Sequence, residues 1–276
     1  MHSIRDLRVL VTGATSGIGR VTAGLLCERG AVVLLHGRDA ARVEATVAEL
    51  QRAGGRAEGL VADLASLAQA ARLAKEVAER GDLDVLVNNA GVGFGHDRTH
   101  REVSSDGMEL RLAVNYLAPF VLTHELLQRG LPRRAVVNLS SIGQEALDFD
   151  DLLCERRYDG VSAYRRSKLA LILWTLDLAA ALPGLGCVAL HPGTLLDTGM
   201  VRDAGLSPRG PARRGGETTL VAIERALAGT SGRYFDEDRE ARALPQAYDD
   251  AARCRLRELT LSLVEPFVTR PPQGPA

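Results

Sequence analysis

Short apolar runs punctuate this chain, and each one stops at a small polar or glycine-bearing turn. Residues 9–11 end at a glycine-rich turn. Residues 31–35 end at His36-Gly37-Arg38-Asp39, and 59–62 end at Asp63. Residues 83–87 lead into Asn88-Asn89-Ala90-Gly91, and 135–139 into Ser140-Ser141. Residues 187–190 lead into His191-Pro192-Gly193, and a weaker run covers 233–235. Runs of this length, apolar on both faces, read as buried parallel strands. Helix-length stretches separate them: 17–29, 39–52, 66–80, 105–128 and 163–181. Asp39 is placed to cap the second, Gly54-Gly55 to stop it, and Pro183-Gly184 closes the last. The alternation predicts α/β architecture, a doubly wound parallel sheet of about seven strands with helices on both faces.

A parallel sheet of this kind binds ligands beyond the carboxyl ends of its strands. The polar clusters fall at those ends, and that coincidence is the first functional argument. Three further stretches read as loops: 93–104 and 143–160 over the sheet edge, and 194–216 as a mobile lid. No internal repeat or linker divides the chain, so residues 1–269 read as one domain and 270–276 as a disordered tail.

Composition removes other classes. The chain has 276 residues, 46% hydrophobic, with a formal net charge of −1. That balance argues against a general nucleic-acid or polybasic membrane partner, and 4% aromatic residues argue against a stacking platform for single strands. No apolar run approaches the roughly 20 residues of a membrane span. Residues 1–6 lack the pattern of a secretory signal. Cys27, Cys154, Cys187 and Cys254 form no close pair, which points to a reduced, cytoplasmic protein. His96, Asp97 and His100 superficially resemble metal ligands but lack a convincing third, so no metal is expected.

Thr12-Gly13-Ala14-Thr15-Ser16-Gly17-Ile18-Gly19 follows the first strand and opens the first helix. Small residues there let backbone approach a pyrophosphate, and the helix start offers N–H donors. No Gly-Lys-Ser/Thr follows, which disfavours nucleoside triphosphate hydrolysis. After the second run, Arg38 stands where a carboxylate would grip a ribose 2′-hydroxyl; its guanidinium suits a 2′-phosphate. NADP(H) is therefore expected over NAD(H).

Tyr164 and Lys168 are four apart in a helical stretch and share one face. An adjacent ammonium favours the phenolate, so the pair is expected to lower the tyrosine pKa toward general acid–base work. Ser141 adds a hydroxyl at a strand end that can hold a carbonyl oxygen. Asn115 lies in an otherwise apolar helix, and its role reads as structural, catalytic or both.

These motifs together resemble the classical short-chain dehydrogenase/reductase family, whose fold is a single Rossmann-like domain. Residues 12–19, Asp63-Leu64, 88–91, Asn115, Ser141, Tyr164-x-x-x-Lys168 and Pro192-Gly193 carry the resemblance in order along almost the whole chain. Residues 136–141, 148–152, 164–170, 190–193 and 231–235 are most similar to its retinol dehydrogenase and WW-domain oxidoreductase branch.

The resemblance implies a catalytic set of Asn115, Ser141, Tyr164 and Lys168. Tyr164 would move the proton, Lys168 would hold the nicotinamide ribose, and Asn115 would support a water feeding Lys168. Ser141, rather than its neighbour Ser140, would orient the substrate oxygen. The implied cofactor contacts are Gly13, Thr15, Ser16, Gly17, Ile18, Gly19, Arg38, Asp63, Leu64, Asn89, Ala90, Gly91, Tyr164, Lys168, Pro192, Gly193 and Thr198. The threonine that usually follows Pro-Gly is displaced by one, with Asp197 in its place, so the part played by Thr198 is open. The 23-residue gap between Ser141 and Tyr164 is longer than common in the family, and its acidic segment, 148–157, reads as pocket wall. Arg165 and Arg166 replace smaller residues and face either solvent or an anionic substrate.

The expected activity is NADP(H)-dependent hydride exchange with a small-molecule ketone, aldehyde or alcohol by a homodimer or homotetramer. A dehydratase, isomerase or cyclase on the same scaffold is the alternative, and a non-enzymatic nucleotide-sensing protein the second. The segment from Arg255 to Val264 packs either near the pocket or on a partner chain.

Overall fold

The computed structural model describes residues 4–269; the tail expected at 270–276 lies outside them. The elements alternate as expected: β1 (Arg8–Val11), α1 (Gly17–Glu28), β2 (Val32–Gly37), α2 (Ala40–Arg52), β3 (Arg56–Val61), α3 (Leu67–Glu79) and β4 (Val85–Asn88). Then come α4 (Leu110–Leu112), a π-helical turn (Ala113–Leu117), α5 (Ala118–Leu127), β5 (Ala135–Leu139) and α6 (Gly160–Ala181). The last part holds β6 (Gly186–His191), α7 (Gly199–Asp203), α8 (Ala212–Leu227), β7 (Arg233–Asp236), β8 (Arg239–Ala241) and α9 (Asp250–Val264).

The strands form one sheet in the order β3-β2-β1-β4-β5-β6-β7-β8. All neighbours are parallel except β7 and β8. The sheet thus has eight strands rather than about seven. The extra one, Arg-Glu-Ala, is short, charged and half-exposed, so it carries no apolar run to announce it. The order reverses beside β1, between β1 and β4, which opens a crevice at their carboxyl ends.

Alternation along the central strands splits the core in two. Leu10, Leu34 and Leu86 face α3, α5, α6 and α9. Val9, Val11, Val33, Leu35, Val85 and Val87 face α1, α2 and α8. Both faces are covered, which is why the strands read as unbroken apolar runs.

Asp39 caps α2, accepting a 3.0 Å hydrogen bond from the Arg42 N–H, and Gly54 ends it at φ +84°. The helix expected over 105–128 begins only at Leu110. Ser104 Oγ instead accepts from the Asp106 and Met108 N–H groups in a turn, the Asp106 side chain accepts from the Leu67 N–H at the start of α3, and Glu109 caps the helix start. Helix α6 starts at Gly160, ahead of the expected 163, because Asp159 accepts from the Ser162 N–H at 2.8 Å. The lid segment contains α7, and α8 begins inside its expected end. Helix α9 packs against α6 of its own chain, where Arg253 and Arg257 both pair with Asp177. Among the described residues no helix is long and apolar enough to cross a membrane.

Candidate active site

The glycine-rich turn is shaped first by its own neighbours. Gly13 has φ +64°, and a β-carbon there would stand 2.8 Å from Ala90 Cα. A β-carbon at Gly19 would overlap Asn89 Nδ2 and the Gly13 carbonyl. Asn89 donates from Nδ2 to the carbonyls of Thr12 (2.7 Å) and Gly13 (3.2 Å). Thr12 Oγ1 accepts from the N–H groups of Asn89 and Ala90, each at 3.0 Å. The side chain of Asn89, expected to line the cofactor floor, is thus spent clamping β4 to the turn, and Thr12 is the unanticipated other half of the clamp.

His36 is a second unanticipated part. Its Nδ1 accepts from the Gly13 N–H at 3.3 Å, and its Nε2 donates to the Ala62 carbonyl at 3.0 Å. Both roles require a neutral ring, and burial lowers its pKa in agreement. A buried histidine bridging three strand ends leaves no local signal in sequence.

The open side of the turn fits a dinucleotide. Ser16 precedes α1 without making a side-chain cap, whereas Asp39, Ser66 and Asp159 cap α2, α3 and α6. The first-turn N–H donors of α1, including those of Gly17, Ile18 and Gly19, are left to an anion. Thr15 packs on Gly37, whose β-carbon would stand 2.6 Å from Thr15 Cγ2. Arg38 follows at the end of β2, exposed and with no carboxylate partner among the described residues. Asp63 is exposed beyond β3, while the Leu64 side chain is buried in the core, leaving only its backbone to meet a ligand. Thr198 caps α7, and its Cγ2 would lie 3.1 Å from a β-carbon on Gly17. The displaced threonine therefore returns to the glycine-rich turn, while Pro192 and Gly193 bend the chain beyond β6 toward it.

The side chains of Tyr164, Lys168, Ser141 and Asn115 assemble where β4, β5 and α6 meet. Lys168 is buried, and its Nζ donates to the Leu139 carbonyl at 2.8 Å. Its Nζ also lies 5.8 Å from the Tyr164 ring centroid. Gly91 leaves this space open: a β-carbon there would stand 3.1 Å from Asn115 Oδ1 and 3.5 Å from Lys168 Nζ. Asn115 accepts from the Val92 N–H at 2.8 Å, and donates to the Val92 carbonyl (3.1 Å) and Ser167 Oγ (3.0 Å). It sits in the π-helical turn, where one extra residue per turn directs its carboxamide between β4 and α6.

The neighbouring serines part company. Ser140 donates to the Lys168 carbonyl at 2.7 Å and is buried in that contact. Ser141 accepts from the Gly143 N–H at 3.0 Å and stands close enough to Tyr164 to draw its phenol partly down. The Ser141 carbonyl accepts from Gln144 Nε2 (3.0 Å) and Tyr234 OH (3.1 Å), two supports that sequence spacing did not reveal.

One electrostatic expectation is corrected. Lys168 was expected to pull the Tyr164 phenol down. Burial outweighs every other influence and pushes it up, with Ser141 drawing it partly back. The same burial lowers Lys168 to about 8.

Phe94 meets Tyr164 edge-on, ring centroids 4.9 Å apart. Its loop is anchored by buried Arg111, which donates to the Gly93 carbonyl at 3.0 Å and pairs with Glu102 and with buried Glu109. Tyr158, from the long 143–160 stretch, donates to the same Glu109 at 3.3 Å. Met200 of α7 reaches over Gly91 and Gly93. Asp97, beside the two loop histidines, accepts from the Thr99 N–H (2.8 Å) and hydroxyl (2.7 Å). Among the described residues no three His, Cys, Asp or Glu side chains converge as metal ligands would.

The family model for short chain dehydrogenases matches residues 8–207, which span the turn, Ser141, Tyr164 and Lys168. The chain belongs to the short-chain dehydrogenase family. Mouse retinol dehydrogenase 13 is 37% identical over 276 residues, covering 90% of this chain and 80% of that protein. An uncharacterised protein from Mycobacterium paratuberculosis superposes with a TM-score of 0.76 at 28% identity, covering 95% of both chains. A short chain dehydrogenase from Burkholderia cenocepacia, solved in complex with NADP, gives a TM-score of 0.69 at 29% identity, covering 86% of this chain and 98% of that one. The relationship lies with the retinol dehydrogenase branch, and it makes this chain an oxidoreductase acting on a small molecule.

Proposed function

We propose that this oxidoreductase interconverts an alcohol and its ketone or aldehyde with NADP(H), using Tyr164 as the acid–base group. The carrying observation is the convergence of Tyr164, Ser141 and Lys168 at the carboxyl end of the sheet, beside an α1 start with unspent N–H donors.

Ser141 Oγ accepts the Gly143 N–H, which leaves its hydroxyl proton to be shared between Tyr164 and a substrate oxygen. In the reducing direction the Tyr164 hydroxyl gives its proton to that oxygen as negative charge develops there. A phenol raised by burial is a competent donor and stays protonated at neutral pH. Lys168, mostly an ammonium at pH 7 with a pKa of about 8, stabilises the phenolate that remains. Asn115 and Ser140 hold α6 in register with β4 and β5, so the proton donor and the substrate hydroxyl partner stay aligned. Phe94 and Met200 shield the site from water. The bound nicotinamide supplies or accepts the hydride. Arg38 supports NADP(H), since a free guanidinium at the end of β2 pairs with a 2′-phosphate; the NADP-bound Burkholderia relative supports it too.

The test titrates NADPH and NADH by fluorescence and follows absorbance at the cofactor band with ketones and aldehydes. NADPH is expected to bind more tightly, and Arg38→Asp to reverse the order. Tyr164→Phe is expected to keep the cofactor and lower kcat by about 10²–10⁴-fold. Cofactor binding without turnover of any carbonyl or alcohol would count against the redox reading. Equal turnover by Tyr164→Phe would remove Tyr164 from the mechanism.

A further inference from the structure

Two guanidiniums flank Tyr164, and neither has a carboxylate to answer it among the described residues. Arg165 follows Tyr164 on α6 and is exposed. Its side chain lies along the turn that carries Ser141. A β-carbon built on Gly143 would stand 3.4 Å from Ser141 Oγ, 3.8 Å from Arg165 Cγ and 4.0 Å from Arg165 Nε. Both the serine hydroxyl and the Arg165 side chain therefore border the space that a side chain at Gly143 would fill. On the other side, Arg98 lies over the Phe94 ring at 5.8 Å, and Phe94 lies against Tyr164. Arg98 makes one long contact, to the Ala204 carbonyl at 3.4 Å.

The surrounding arginines behave differently. Arg166 pairs with Glu145, Arg202 with Asp197, and Arg111 with Glu102 and Glu109. Glu145, the nearest acid in sequence to Gly143, is thereby already engaged. A guanidinium with no carboxylate partner attracts an anion, and apolar surface beside it strengthens the attraction. Ile142, 54% exposed and next to Ser141 in the chain, and Phe94 against Tyr164 supply such surface.

We infer that the substrate of this site carries a carboxylate, received by Arg165, a few carbons from the carbonyl or alcohol held by Ser141 and Tyr164. This rests on the redox reading above and narrows its substrate class to oxo or hydroxy acids with an apolar chain. Arg98 adds long-range attraction from the opposite rim, and Arg165 makes the direct charge-assisted contact.

The test pairs an aliphatic oxo acid bearing a mid-chain ketone with its methyl ester. Wild type is expected to favour the acid by about tenfold or more in kcat/KM, chiefly through KM. Arg165→Gln should collapse that ratio toward one, and Arg165→Lys should retain part of it. Raised salt should shrink the wild-type preference. Calorimetry of the same acid on protein loaded with NADP+, which cannot reduce it, reads the contact without chemistry. Binding that weakens in Arg165→Gln, with no turnover of this pair or of any other carbonyl or alcohol, would uphold the anion contact and reject the redox reading. Turnover of both compounds with an acid-to-ester ratio unmoved by Arg165→Gln would reject the inference and leave the redox reading standing.

Discussion

Lys168 shows how the site sets function against stability. Its ammonium is buried, with one hydrogen bond, to Leu139. Its pKa falls from 10.5 to about 8. Between those values the unfolded chain still binds a proton that the folded chain has released, so stability rises with pH across that window. Below about 8 the folded protein bears the whole cost of the buried charge, on the order of 3 kcal/mol. Lys168→Met removes that cost but leaves the Leu139 carbonyl without its donor. The variant is expected to be inactive and about 1–2 kcal/mol more stable than wild type at pH 7. The advantage should narrow between pH 8 and 10, as denaturant melts at each pH would record. A constant difference across that range would mean that Lys168 keeps its proton in the fold, with its pKa the same as in the unfolded chain. Tyr164 and Lys168 were legible because a four-residue interval on a helix is a local pattern. His36, Tyr234 and Arg111 were not, since their partners lie on distant segments: Gly13 and Ala62, Ser141, and Gly93 with Glu102 and Glu109.

At the scale of elements, the π-helical turn at Ala113–Leu117 is the point where fold and chemistry meet. Sequence placed Asn115 on an apolar helix without separating a structural role from a catalytic one. The structure gives its carboxamide three hydrogen bonds, to both polar groups of Val92 and to Ser167. Asn115→Leu would take the partner from both polar groups of Val92 and one of two from Ser167 Oγ, which keeps the Tyr164 carbonyl at 2.7 Å. The expected loss is about 2–4 kcal/mol, seen as a lower denaturation midpoint. Because Ser167 sits on the Tyr164 helix, kcat should fall further than cofactor affinity does. Unchanged stability would mean that Val92 and Ser167 find each other or water at no cost. The strands were easy to read because both faces of the sheet are buried, so each is apolar throughout. Helix α8 was hidden by its opening Ala-Arg-Arg-Gly-Gly, which reads as loop. Its glycines are required by contact: a β-carbon on Gly215 would stand 2.7 Å from Leu196 Cδ1, and one on Gly216 would overlap Val21.

For the whole molecule, sequence left open whether the segment from Arg255 to Val264 packs near the pocket or on a partner chain. Helix α9 lies on α6, burying Ala252, Leu256, Thr260 and Val264. Asp177 fastens it, accepting from Arg253 at 2.9 Å and Arg257 at 3.0 Å. Alongside runs a groove of about 240 Å³ lined by Phe120, Trp174 and Leu256 among others. Trp174 is the chain's only tryptophan, so its fluorescence reports on this face alone. Asp177 lies thirteen residues beyond Tyr164 on α6, about 20 Å along the axis. That distance lets packing be tested apart from chemistry. Asp177→Ala leaves two guanidiniums without their shared carboxylate, although Arg253 keeps Asp250 and the Ala247 carbonyl. The expected cost is about 1–2 kcal/mol. Trp174 emission should shift to the red, acrylamide should quench it more, and amide exchange across α9 should quicken, with kcat held within about twofold. Exchange and emission like those of wild type would mean that the apolar face of α9 holds it in place without the ion pairs. A large fall in kcat would mean that α9 and the proton-transfer group are coupled through α6 over those 20 Å.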